Sequence, residues 1–169
     1  MNRLVVSTLL ALFIFVADFL LKAYVHACVP PMHGSEFPYG GISFLHGWHG
    51  IDFALIHVWN KGAAWGWFSS FPRALLYTRF IMIGGLFSYL CFVRASFFRK
   101  LCTLVILTGA ICNIIDVFLY SHVIDMFFFS IFEYSYPVFN LADTAIFIGI
   151  ALLLIEMLVL KFMRFRKPV

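Results

Sequence analysis

The chain has 169 residues, 63% of them hydrophobic and 12% charged, with a formal net charge of +4 and a mean hydropathy of +0.98. A soluble domain of this length has too little interior to hide so much apolar surface, which excludes the soluble classes and points to the membrane. The basic residues mostly flank apolar runs, so the positive charge offers no patch for a nucleic acid.

Four runs are long enough to cross a hydrocarbon core of about 30 Å: residues 4–25, 74–93, 101–121 and 138–160. No linker or low-complexity stretch divides them, so residues 1–169 read as a single domain. Arg3, the Arg94/Arg99/Lys100 turn and the Lys161/Arg164/Arg166/Lys167 tail fall on one side of a four-span bundle, against Lys61 and Arg73 on the other. The positive-inside rule then puts both termini in the cytoplasm and turns the loops 26–73 and 122–137 outward. The expected architecture is an all-α membrane protein of four transmembrane helices. A small β-hairpin or sheet and an amphipathic segment are expected in the first outward loop.

The first run opens like a secretory signal, but Asp18 and Lys22 interrupt it, so it is expected to remain a span and not to be cleaved beside Cys28. Those two residues are spaced i, i+4 on one helix face and read as a neutralised structural pair, with Lys22 also able to snorkel outward. In the first outward loop, residues 42–45 and 51–59 read as paired strands around a glycine turn. Asn60-Lys61-Gly62-Ala63-Ala64-Trp65-Gly66-Trp67-Phe68 follows, with rings suited to the headgroup zone and small residues that allow close backbone approach. His46, His49 and His57 have no HExxH spacing and no cysteine nearby, so no metal is expected. Cys91, Cys102 and Cys112 lie in or beside spans and Cys28 is alone on the outward side, which leaves no outward disulfide within the chain.

The third run carries Asn113 and Asp116 at i and i+3, with Gly109 and Ala110 as the small residues that let membrane helices touch. The fourth repeats the spacing with Asn140 and Asp143, and Glu156 near Lys161 is assigned no chemistry. Most telling are Asp125 and Asp143, read as lying just inside the outer ends of two neighbouring apolar segments. A carboxylate at the centre of a membrane helix costs about 3 kcal/mol, so such residues are read as functional by default. Two that converge would share one proton and activate a water, with asparagine amides orienting them. Three other readings compete: isolated acids neutralised by a lysine or backbone group, polar helix glue in an assembly factor, and a proton relay of Asp116, Asp125 and Asp143 in a small proton-coupled transporter or channel. Serine-type intramembrane chemistry lacks a serine and histidine on matching faces beyond the adjacent Ser121-His122, and a GxGD tetrapeptide is absent.

These blocks, in this order, resemble the bacterial lipoprotein signal peptidases (signal peptidase II). Asp18 and Lys22 are similar to the family's first-span Asp and Lys. Asn60-Lys61-Gly62-Ala63-Ala64-Trp65 is similar to its Asn-x-Gly-x-Ala-Phe block, with Trp65 for phenylalanine. Gly109 to Asp116 with Val123-Ile124-Asp125 resembles its Gly-x-x-Gly-Asn-x-x-Asp-Arg … Val-Val-Asp-Phe stretch, and Phe139-Asn140-Leu141-Ala142-Asp143 matches its Phe-Asn-x-Ala-Asp block. Departures are Cys112 and Ser121 for glycines, Met126 for phenylalanine, and Val117 for the arginine after Asp116. Lys61, Arg79 and Lys22 are the candidates to replace that charge, Lys61 first.

The resemblance implies a cofactor-free, metal-free aspartic endopeptidase of the cytoplasmic (inner) membrane, monomeric, with its active site near the outer face. Its substrate would be a prolipoprotein whose cysteine already carries diacylglycerol, cleaved just before that cysteine. Asp125 and Asp143 would be catalytic. Asn60, Gly62, Asn113, Asp116, Asn140, Ala142 and Lys61 would orient them or hold the peptide, and Asp18 and Lys22 would be structural.

Overall fold

A computed structural model describes residues 2–62, 71–132 and 134–165. Ala63, Ala64, Trp65, Gly66, Trp67 and Phe68, hence most of the expected amphipathic segment, lie outside the described residues, as do Arg166 and Lys167. Four long helices are present: α1 (Arg3–Cys28), α2 (Pro72–Phe92), α3 (Phe97–Tyr120) and α4 (Leu141–Phe165). All four are long and apolar enough to cross a membrane. Their ends follow capping chemistry where hydropathy alone misplaces them. α3 starts ahead of the expected 101 because the Ser96 side chain accepts the Arg99 N–H at 3.3 Å. α4 starts at Leu141 and not at 138 because Asn140 and Asp143 cap each other, Asp143 N donating to Asn140 Oδ1 at 2.8 Å and Asn140 N to Asp143 Oδ2 at 3.3 Å.

α3 is the central helix. More than half of its most apolar window (56%) is buried, against 6% for α1 and α4 and 0% for α2, whose outer faces form the lipid-facing surface. Close packing against α4 depends on two glycines. A Cβ on Gly109 would meet the Ala142 carbonyl oxygen at 2.5 Å, and one on Gly149 would meet Ile106 Cγ1 at 2.5 Å. At the end of the bundle away from the sheet, Arg99 Nε pairs with Glu156 Oε2 at 2.8 Å, and the Arg3 guanidinium lies 5.4 Å from the Phe97 ring centre.

Beyond the other end of the bundle lies a four-stranded antiparallel sheet, β1 (Ile42–Trp48), β2 (Ile51–Asn60), β3 (Val123–Ile131) and β4 (Tyr134–Ser135), in sequential order. The β1–β2 hairpin turns at His49 and Gly50, both at positive φ (51° and 77°), as a two-residue turn between right-twisted strands requires. The stretch 122–137, expected only as a loop, carries β3 and β4, and the apolar segment that holds Asp125 is a strand. The cause is local. α3 stops at Ser121, which takes a left-handed φ of 64°, and the β-branched and aromatic run Val123 to Ile131 then pairs along β2. Val25, Val29, Leu55, Ile124 and Met126 pack into one cluster that seats this sheet on the end of α1.

Candidate active site

Asp125 and Asp143 line one cavity of about 350 Å³, together with Asn60, Gly62, Arg79 and Asn113 and an apolar wall that includes Val138, Ile146 and Phe147. Two elements deliver the acids, Asp125 from the start of β3 and Asp143 from the first turn of α4. Every carboxylate oxygen accepts an N–H. Asn140 Nδ2 donates to Asp125 Oδ1 at 2.7 Å and Asn60 Nδ2 to Asp125 Oδ2 at 2.8 Å. Asn113 Nδ2 donates to Asp143 Oδ1 at 2.8 Å, and Oδ2 takes the Asn140 backbone N–H.

These amides turn their nitrogens and not their oxygens to the acids, because each oxygen is bonded elsewhere. Asn60 Oδ1 accepts the Gly62 N–H at 2.9 Å in an Asx turn. Asn113 Oδ1 accepts from Lys22 Nζ at 3.0 Å and from Asn140 Nδ2 at 3.2 Å, and Asn140 Oδ1 accepts the Asp143 N–H. The pair thus receives donors only, and a proton held by it has no amide acceptor and points into the cavity or across to the partner acid. Burial first, and the charge of Asp143 second, push the Asp125 carboxyl up to about 7, against the opposing pull of the Asn60 and Asn140 donors.

Asn60 reaches Asp125 because of a β-bulge. Leu55 pairs with Phe127 but Val58 pairs with Asp125, so one extra residue is spent on β2 between them. Without it Asn60 would fall opposite His122 and point to the other face of the sheet; with it Asn60 sits opposite Val123, on the face of Asp125. Nothing in the β2 sequence signals this shift.

Behind the cavity stands a buried ionic cluster. Lys22 Nζ bonds Asp18 Oδ2 at 2.7 Å and Asp116 Oδ2 at 2.8 Å in addition to Asn113, and it is 1% exposed, so it does not snorkel. All three ammonium donors are used. Asp18 Oδ1 also accepts the Ala142 N–H at 2.8 Å, at the positive end of the α4 dipole, and Asp116 Oδ2 accepts the Ile124 N–H at 3.3 Å. The cluster therefore ties α1, α3, α4 and the start of β3 together and orients the Asn113 amide. Asp116 and Ala142 belong to this layer and do not line the cavity, and Lys61 is exposed and also absent from its wall.

Of the three candidates for the missing charge, Arg79 and not Lys61 reaches the cavity. It sits within the second apolar run, yet it lines the cavity and donates from Nη2 to the Gly62 carbonyl at 3.0 Å. Its position in an otherwise uncharged span was the available signal. The histidines weighed as metal ligands go separate ways: His46 Nδ1 lies 3.0 Å from Asp52 Oδ1, while His57 bonds the Val29 carbonyl and accepts from Trp59 Nε1. Among the described residues no three His, Cys, Asp or Glu side chains are grouped to hold a metal.

Fold and cavity together define a multi-pass membrane protein with a carboxylate pair in a half-apolar pocket. The chain belongs to the signal peptidase (SPase) II family, whose profile matches residues 10–159. The lipoprotein signal peptidase of Chlamydia pneumoniae is 36% identical over 112 residues, covering 65% of this chain and 67% of that protein. That of Chlamydia trachomatis serovar L2 is 34% identical over 136 residues, covering 79% and 78%. A bacterial membrane enzyme solved by the in meso method at 2.3 Å resolution superposes with a TM-score of 0.76 at 26% identity, over 97% of this chain and 94% of that one. The protein is therefore a peptidase, and the transporter reading finds no support.

Proposed function

We propose that this chain removes signal peptides from prolipoproteins by aspartic chemistry, cutting just before a diacylglyceryl-modified cysteine. Its family and the named relatives support the substrate class. The observation that carries the chemistry is the convergence of Asp125 and Asp143 on one cavity, with every oxygen held by an N–H donor. The pair holds one proton. Its ionised member takes a proton from a water molecule as that water attacks the scissile carbonyl, while the protonated member gives its proton to the carbonyl oxygen, so that a neutral diol forms and the pair still holds one proton. Collapse of the resulting diol returns a proton to the departing amine nitrogen and breaks the C–N bond. The proton belongs to the pair as a unit.

The mixed wall suits a lipidated peptide, since polar groups gather at the acids while Ile146, Phe147 and Ile150 extend down α4 toward the lipid-facing surface. In this reading the sheet faces outward and both termini are cytoplasmic, as the basic end of the bundle favours. The test is incubation of the purified protein with a lipidated and an unlipidated version of one cleavage-box peptide. Only the lipidated peptide should be cut by the wild type. Asp125→Asn and Asp143→Asn should each fold and insert yet lose activity by about a thousandfold or more, because the two acids act as one unit. Retention of a tenth of the activity in either variant overturns the dyad.

A further inference from the structure

We infer that Arg79 supplies the positive charge of this active site, binding a main-chain carbonyl of the substrate beside the scissile bond; the inference rests on the proposed peptidase reading and names a residue for it. Three basic side chains are near enough in sequence or space to be weighed. Lys22 has spent all its donors on Asp18, Asp116 and Asn113 behind the cavity. Lys61 is exposed and does not line it. Arg79 does line it, facing Asp125 and Asp143 from α2, with Asn60, Gly62 and Asn113 in the same wall.

Its location is costly unless used. A charged residue in an apolar span is tolerated where it faces a cavity and marks a substrate path. Arg79 forms no ion pair within 4 Å among the described residues, and Nη2–Gly62 O at 3.0 Å is its hydrogen bond there. A guanidinium has five N–H donors in a rigid fork, so one bond to Gly62 fixes the fork, and among the described residues its other donors meet no acceptor and are placed to serve a ligand in the cavity that Arg79 lines. Gly62 is itself held by the Asn60 Asx turn, and Asn60 donates to Asp125, which makes the fork's position dependent on the acid it serves. Val117, where the resemblance leads one to expect arginine, lies one helical turn beyond Asn113, so the charge missing from α3 is replaced from the facing helix.

The experiment compares Arg79→Gln and Arg79→Lys with wild type, reading kcat and KM for a lipidated cleavage-box peptide and thermal stability in detergent. The same two substitutions are placed in an Asp125→Asn background to read the Kd of that peptide without turnover. Arg79→Gln should fold, lower kcat/KM by about a hundredfold and weaken Kd by about tenfold, while Arg79→Lys should recover a large part of both. Values for Arg79→Gln within threefold of wild type overturn the inference, as does equal loss of function and stability in both variants, which would make Arg79 a structural tether. Failure of the peptidase reading looks different: the wild type itself then cleaves nothing, whereas the Arg79 inference fails in an enzyme that still depends on Asp125.

Discussion

Asp125 is a carboxylic acid whose hydrogen-bond partners are both donors, yet its carboxyl is pushed up to about 7, because burial and the charge of Asp143 outweigh two amide hydrogen bonds. Two consequences follow in opposite experiments. In catalysis, a pair sharing one proton is active only while it keeps that proton, so kcat should fall as pH rises above about 7; a rate that keeps climbing to pH 9 would contradict a protonated donor in the pair. In stability, an acid whose folded value lies above its unfolded value of about 3.8 binds more protons when folded between the two values. Stability contributed by protonated Asp125 is therefore lost as pH rises from about 4 to about 7. Thermal melts in detergent across that window should decline for the wild type and flatten for Asp125→Asn.

Among the elements, α3 and α4 bring Asn113 to Asp143, and their spacing is set at Gly109. A methyl group there would meet the Ala142 carbonyl at 2.5 Å, against backbone that cannot rotate away. Gly109→Ala should push α4 outward, lower the melting temperature by the equivalent of about 1–3 kcal/mol and reduce kcat by roughly tenfold by separating Asn113 from Asp143. Unchanged activity would show that the helices relax without moving the acids. The opposite effect is expected at the end of α3, where Ser121 takes a φ of 64°. Glycine relieves a left-handed strain of about 1–2 kcal/mol and loses about 0.5–1 kcal/mol through its freer unfolded chain. Ser121→Gly should therefore be neutral to stabilising by up to about 1.5 kcal/mol, and a drop in melting temperature would count against this account.

The whole molecule is polarised. One end holds Arg3 against Phe97 and the Arg99–Glu156 pair, and the other holds the sheet and the cavity. If the basic end is cytoplasmic, exposed Cys28 at the sheet end of α1 faces outward while Cys91, near the far end of α2, does not. A membrane-impermeant maleimide added to intact spheroplasts should label the wild type, and Cys28→Ser should abolish the labelling. Labelling that survives Cys28→Ser and disappears with Cys91→Ser would invert the orientation.

Composition and run length were enough to establish four membrane-crossing helices, because a hydrocarbon slab imposes a length and an apolar content that any sequence must meet locally. Motif spacing was likewise enough to single out Asp125, Asp143 and their asparagines, since such residues are scarce in apolar surroundings. Tertiary structure alone decided how they meet. The bulge that turns Asn60 toward Asp125 is a register event between β2 and β3, set by pairing across a long sequence separation and invisible in either strand. Which acid each amide serves followed the same logic, with Asn113 bonding Asp143 and not its neighbour Asp116, because Lys22 from α1 claims Asp116. Arg79 was legible as a candidate for the missing charge, but only the tertiary structure set it, and not Lys61, in the cavity wall, because the worth of one charge depends on the cavity its side chain reaches.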